Sequence, residues 1–238
     1  HILVCGVTGA GKSVMLNTML ATLTFNTSPE DVRILLIDLK NEDMLPFRNL
    51  PHVERFAGLM EEAEASIGAA IAELDRRIAT PGHKPFRLVV WIDEVAELAT
   101  NNAMKESLGR LASAGRSKGI NLVAATTYPT DKGGLGALMK ANFPIRLVGM
   151  VASGQSYTAT QRPGLHADLL PGKGSFLRVE GASAPRFQSY YIDGDVLDGF
   201  VVDVAAKWCH IKVDMALDMG GSSVDICLLY TSDAADDS

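Results

Sequence analysis

The chain has 238 residues, with 22 Lys and Arg against 28 Asp and Glu for a formal charge of −6, and is 47% hydrophobic and 21% charged. That length buries one sizeable core and leaves two full domains cramped, while the composition excludes a disordered chain or a repeat array. Three cysteines, Cys5, Cys209 and Cys227, lack metal-ligand spacing, which excludes a zinc site or a disulfide framework and points to a reduced, cytoplasmic setting.

Short apolar runs alternate with helix-period segments through the first two-thirds, which predicts an α/β fold with a parallel sheet. HILVC (1–5) reads as the first core strand; the chain opens on it directly, so the natural protein is expected to begin earlier. The glycine-rich GVTGAGKS follows, then a helix through Met15, Leu16, Met19 and Leu20. RILLID (33–38) is the second strand, and a long helix covers Glu61–Ile78. LVVWID (88–93) leads into a helical stretch that breaks near Asn101 and Asn102 and runs to about Arg116. NLVAAT (121–126) and IRLVGM (145–150) are the fourth and fifth strands, joined by a loop containing Lys132 and a short helix near Leu135–Lys140. GSFLRV (174–179) and RFQSYYI (186–192) read as a hairpin on the sheet edge, followed by a helix to Cys209, and residues 210–226 give no pattern. No apolar run is long enough to span a bilayer, so no membrane contact is expected within these residues.

Gly6, Val7, Thr8, Gly9, Ala10, Gly11, Lys12 and Ser13 fit G-x-x-x-x-G-K-[ST] between a strand and a helix. Glycines let successive N–H groups curl around phosphate, and the helix N-terminus adds partial positive charge. Lys12 is placed to reach the β- and γ-oxygens of ATP, and Ser13 to offer its hydroxyl to Mg2+. The run Leu88–Ile92 delivers Asp93 and Glu94 at a strand end, where Asp93 is expected to hold Mg2+ and Glu94 to orient or deprotonate the attacking water. Thr126 and Thr127 end the next strand, which is expected to lie between those two sites; they are either γ-phosphate sensors or ordinary β-formers. Between Asn101 and Met150 the cations Lys105, Arg110, Arg116, Lys118, Lys132, Lys140 and Arg146 face only Glu106 and Asp131, either a basic face or an ordinary solvated surface.

The stretches ILVCGVTGAGKSVMLNTML, PEDVRILLIDLK, LVVWIDEVAEL, GRSKGINLVAATTYP and LMKANFPIRL together resemble the FtsK/SpoIIIE motor family, over about residues 2–150. The resemblance implies a RecA-like three-layer αβα domain with a mostly parallel central sheet and a C-terminal hairpin. It also implies a hexameric ring of copies that moves double-stranded DNA by hydrolysing ATP with Mg2+. Arg116 falls where the family offers an arginine in trans to the neighbour's ATP, the alternative being a helix-terminal cation. Lys140 falls on a basic position used near DNA, and Lys132 is a candidate to replace part of the charge missing elsewhere. Thr127 stands at the family's glutamine sensor position, Tyr128 at the arginine after it, and Gly154 at a further basic position. Nothing after Asp195 resembles the winged-helix module of chromosomal members.

Residues 1–195 are therefore expected to form the motor and 196–226 an unassigned extension. The segment CLLYTSDAADD resembles a translated sequencing adapter, which makes 227–238 a non-native tail by expectation. A conjugative coupling ATPase and a nucleotide-dependent ring scaffold are the competing functions; Glu94 argues against the scaffold, because binding alone needs no water-activating acid.

Overall fold

A strand such as Leu88–Ile92, apolar at every position, is stable only when both its faces are covered. The structure, a computed structural model describing residues 1–82, 86–127 and 142–211, supplies that cover with helices on both sides of one sheet. The elements in order are β1 (Ile2–Cys5), α1 (Lys12–Asn26), β2 (Val32–Ile37), β3 (Val53–Ala57), α2 (Met60–Ala79), β4 (Arg87–Ile92), α3 (Val95–Leu98) and α4 (Asn102–Ala114). There follow β5 (Ile120–Thr126), β6 (Ile145–Val148), α5 (Ser156–Thr160), β7 (Ser175–Glu180), β8 (Arg186–Gln188) and α6 (Gly194–Trp208). The strands lie in the order β3-β2-β4-β5-β1-β6-β7-β8, parallel from β3 to β6 and antiparallel at β7 and β8. This is the expected RecA-like three-layer αβα arrangement, with β5 between β1 and β4.

The period of two divides the central strands between two cores. Leu3, Leu35, Leu88, Val90, Ile92, Leu122 and Ala124 pack under α2 and α4, whereas Val4, Ile34, Leu36, Val89, Trp91, Val123 and Ala125 pack under α1 and α6. Helix α6 is tied to the end of α1 by Trp208 Nε1 donating to the Thr24 carbonyl at 2.9 Å and by Lys207 Nζ donating to that of Phe25 at 2.6 Å.

Three details differ from the sequence reading. Strand β3 was not anticipated, because VERFA carries charges at its second and third positions; the edge tolerates them, and Glu54 there accepts from Arg33 of β2 at 2.7 Å. Strand β8 stops at Gln188 rather than 192, and β6 stops at Val148. The helix expected near Leu135–Lys140 and the tail from Cys227 lie outside the described residues. Among the described residues, no helix is long and apolar enough to cross a membrane.

Helix α2 carries two ion pairs of opposite character, one within the helix and one to α4. Glu73 and Arg77 are buried: Arg77 Nε donates to Glu73 Oε1 at 2.5 Å, Nη1 donates to the Lys118 carbonyl at 2.9 Å, and the guanidinium lies 4.8 Å from the centre of the Phe86 ring. Arg110 of α4 meets Asp75 at the surface, with both side chains about half exposed. Burial alone raises the Glu73 carboxyl pKa, but hydrogen bonds from Arg76 and Arg77 and their charges outweigh it and hold it below the ordinary value. Its stabilisation is therefore present above the unfolded-state pKa and is lost as pH falls through the folded one. Glu73→Ala strands a buried guanidinium and should cost about 3–5 kcal/mol. Asp75→Ala should cost far less, since exposed pairs are screened. Urea unfolding of the two variants checks the contrast, and equal losses would contradict it.

Candidate functional site

The chain leaves β1 at Cys5 and is held between its two neighbouring strands. Gly6 N donates to the Thr126 carbonyl at 3.3 Å, and Val7 N to that of Met150 at 2.9 Å. Gly9 and Gly11 take left-handed backbone angles, with φ of 82° and 93°, which a side chain would strain. A Cβ on Gly11 would also stand 2.5 Å from Gly174 N. The carbonyls of Gly9 and Ala10 turn back onto the segment before β7, accepting from Lys173 N at 3.1 Å and Gly174 N at 2.8 Å. Thr8 and Gly9 are exposed at the tip. The first bond within α1 runs from Met15 N to the Gly11 carbonyl, so the N–H groups of its first turn face out of the helix end. Those donors and the helix dipole suit an anion.

Cys5 is buried beneath the loop, where burial foremost pushes its thiol pKa up to about 12, with the charges of Arg146 and Lys12 opposing and Glu94 adding. It stays protonated and takes no part in chemistry at neutral pH.

Lys12 and Ser13 open α1, each turned toward a carboxylate. Lys12 Nζ lies 3.9 Å from Glu94 Oε2, and Ser13 Oγ donates to Asp43 Oδ2. Glu94 caps the start of α3, and its Oε2 accepts from both the N–H of Thr127 at 2.9 Å and its Oγ1 at 2.8 Å. Thr127 is thus brought to Glu94, fixing one carboxylate oxygen. Asp93, 2% exposed, has Lys40 Nζ 3.7 Å away. Burial foremost raises the Asp93 carboxyl pKa above its ordinary value; Lys12 and Lys40 pull it down, and Asp38 and Asp43 push it up. For Lys40, desolvation is outweighed by Asp93, Glu94, Glu97 and Asp43 together, so its pKa is raised.

The buried oxygens Asp93 Oδ1 and Glu94 Oε1 have no hydrogen-bond partner among the described residues. Such atoms are costly unless a further group meets them, and hard carboxylate and hydroxyl oxygens are the donor set that Mg2+ takes. Loop, lysine, hydroxyl and carboxylates therefore fit a nucleotide triphosphate with Mg2+.

The sequence reading missed the segment after β2. Asp38, fully buried, accepts from the N–H groups of Lys40, Glu42 and Met44, which holds Lys40 and Asp43 against the site. The signal was available in DLKNED, acids following a strand end on the same sheet edge. Arg116 is exposed on the 3-10 turn Arg116–Lys118 that precedes β5, whereas the loop and carboxylates follow the strand ends. The basic face is reduced by the structure: Arg146 is buried and donates to the carbonyls of Phe143 and Ala159, and Arg110 is paired with Asp75. Lys132 and Lys140 lie outside the described residues.

Residues 1–80 match the FtsK/SpoIIIE family. The chain is 32% identical over 235 residues to DNA translocase SftA of Bacillus subtilis, covering 87% of this chain and 24% of that protein. To DNA translocase FtsK of Clostridium tetani it is 31% identical over 237 residues, covering 88% and 31% respectively. The chain thus spans 24% and 31% of the length of these two curated relatives. Among solved structures, EssC (ATPases 2 and 3) from Geobacillus thermodenitrificans superposes with a TM-score of 0.75 at 22% identity, covering 89% of this chain and 45% of that one. The pCW3 conjugation coupling protein TcpA, in a monomer form with ATPγS, gives 0.70 at 25% identity, covering 86% and 64%.

An acid whose folded pKa exceeds its unfolded value binds its proton more tightly when folded, so its stabilisation is lost as pH rises through the folded value. Above its folded value the buried, ionised Asp93 weakens the fold. Asp93→Asn should therefore raise the thermal midpoint of the nucleotide-free protein at pH 7, with the gain shrinking toward pH 4. Calorimetry across that range checks it, and a lower midpoint at pH 7 would contradict the burial argument.

Proposed function

Because the chain belongs to the FtsK/SpoIIIE family, we propose that it is the ATP-hydrolysing motor of a translocase that drives double-stranded DNA through a ring of its own copies. Residues 1–195 are the motor, the ring is a hexamer, and the motor works on the cytoplasmic side, whether or not the full protein is anchored to a membrane elsewhere. The observation that carries this reading is the placement of Glu94, held at Oε2 by Thr127 and facing Lys12, with Oε1 left to act.

Gly6 to Ser13 bind the phosphates through backbone N–H groups, and Lys12 neutralises charge at the β- and γ-oxygens. Ser13 and Asp93 would hold Mg2+: Ser13 Oγ keeps its lone pairs while donating to Asp43, and Asp93 Oδ1 is the oxygen left without a partner among the described residues, Lys40 standing beside Oδ2. Bound ATP with Mg2+ supplies a phosphoanhydride whose developing negative charge the metal offsets. Glu94 Oε1 orients a water and takes its proton. Thr127 positions Glu94 by fixing the other oxygen.

Arg116 supports the ring. It precedes the first residue of β5, while the phosphate loop lies beside the last; a seven-residue strand spans about 20 Å. Arg116 thus belongs to a different edge of the sheet from its own phosphate loop, as an arginine serving the neighbouring subunit requires. Lys132 and Lys140 are the proposed DNA contacts. The similarity to TcpA favours a second reading, a coupling ATPase that moves single strands in conjugation; a strand-specific DNA stimulation of ATPase activity separates the two.

Glu94→Gln keeps the hydrogen bonds to Thr127 but removes the base, so turnover should fall about 100-fold or more while ATP affinity holds. Near-normal turnover would remove Glu94 from the chemistry. Arg116→Ala should lose roughly a thousandfold in turnover, and mixing it with Lys12→Ala subunits should restore part of the activity, because some interfaces then join an intact loop to an intact arginine. No recovery in verified mixed rings would overturn the trans role.

A further inference from the structure

Helix α1 has a different neighbour on each flank. On the β2 and β4 side, Ser13 meets Asp43, and Asp93 and Glu94 follow β4. On the β6 to β8 side, Thr18 Oγ1 donates to the Tyr190 carbonyl at 3.3 Å. A nucleotide laid across the helix N-terminus with its terminal phosphate beside the carboxylates therefore extends its base toward the second flank.

That flank presents two tyrosines. Tyr190 is 83% and Tyr191 74% exposed, which is unusual for such large rings. They do not sit on a loose strand. Phe187 and Ile192 on either side pack into the core that holds α1, Ser189 N donates to the Gly174 carbonyl at 2.7 Å, and Gln188 Nε2 to that of Lys173 at 2.8 Å. Residues 173 and 174 are the ones bonded to Gly9 and Ala10. The segment carrying the tyrosines is thus fastened to the back of the phosphate loop and to the side of α1, and its flanking residues already make their contacts.

We infer that Tyr190 and Tyr191 form the subsite for the purine base of the bound nucleotide, by stacking of an aromatic ring on the base. This rests on the phosphate-loop reading of residues 6–13. Stacking is tolerant of base identity because every base has a π-face, so the pair supplies affinity more than selectivity.

The test is calorimetric titration of the full chain with ATP and with inorganic tripolyphosphate, each with Mg2+. Wild type should bind ATP more tightly than tripolyphosphate. Tyr190→Ala combined with Tyr191→Ala should weaken ATP binding by roughly 5- to 100-fold and leave tripolyphosphate affinity and the thermal midpoint unchanged. The double Phe variant, which keeps both rings, should retain the ATP affinity. A double Ala variant that keeps the wild-type ratio of the two affinities, or that loses both ligands equally, overturns the proposal. Lys12→Ala provides the separate control: unchanged tripolyphosphate binding there would sink the phosphate-loop reading itself, whatever the tyrosines do.

Discussion

The site depends on one constraint, the parallel pairing of β1, β4 and β5 with both faces buried. Parallel strands send all their C-terminal ends to one edge of the sheet, and register then decides which residues stand level there. Ile92 pairs with Ala124 and Cys5 with Thr126, so β5 runs two residues past the end of β4. That overhang puts Thr127 within hydrogen-bonding distance of Glu94 and carries Gly6 onto the Thr126 carbonyl. A slip of one residue would turn every side chain to the other face and dissolve both contacts.

The same edge gathers Asp38, Asp43, Asp93 and Glu94, and the two lysines beside them are what make the gathering tolerable. Lys12 opens α1 and Lys40 comes from the loop after β2, yet each stands near a buried carboxylate. Burial of Asp93 without a full set of partners is a stability cost kept at a place where another group is to be bound, a common bargain at functional sites. Asp38 differs in kind, since three backbone N–H groups satisfy it and its task is to shape the loop that brings Lys40 and Asp43 inward.

Much of this was legible in the letters. The glycine-rich loop, the carboxylate pair and most of the strands followed from local runs whose periodicity is strong, as in Leu88–Ile92, and of the sheet order the sequence reading anticipated only the place of β5 between β1 and β4. Strand β3 was not legible, because an edge strand with one protected face carries charges such as Glu54 and Arg55 that read as loop. The partners Asp43 and Lys40 were only half legible: DLKNED marks an acidic segment after a strand end, but which of its residues meet Ser13 and Asp93 is decided by the fold. Arg146 misled in the opposite direction, a charge counted toward a surface yet buried against the carbonyls of Phe143 and Ala159, with burial lowering its pKa from the ordinary value.

The approach of Gly174 to Gly11 has a mechanical meaning. Where two backbones touch without side chains between them, there is no soft rotamer to absorb a displacement, and interiors packed in this way transmit strain. The hydrogen bonds from Lys173 and Gly174 to the Gly9 and Ala10 carbonyls make the joint stiff in tension as well as in compression. Through β7 and β8 that joint continues to α6 on the outer face of α1. Any rearrangement of the phosphate loop is thus geared to the far edge of the sheet, in the way a rigid linkage turns a small stroke at one end into motion at the other.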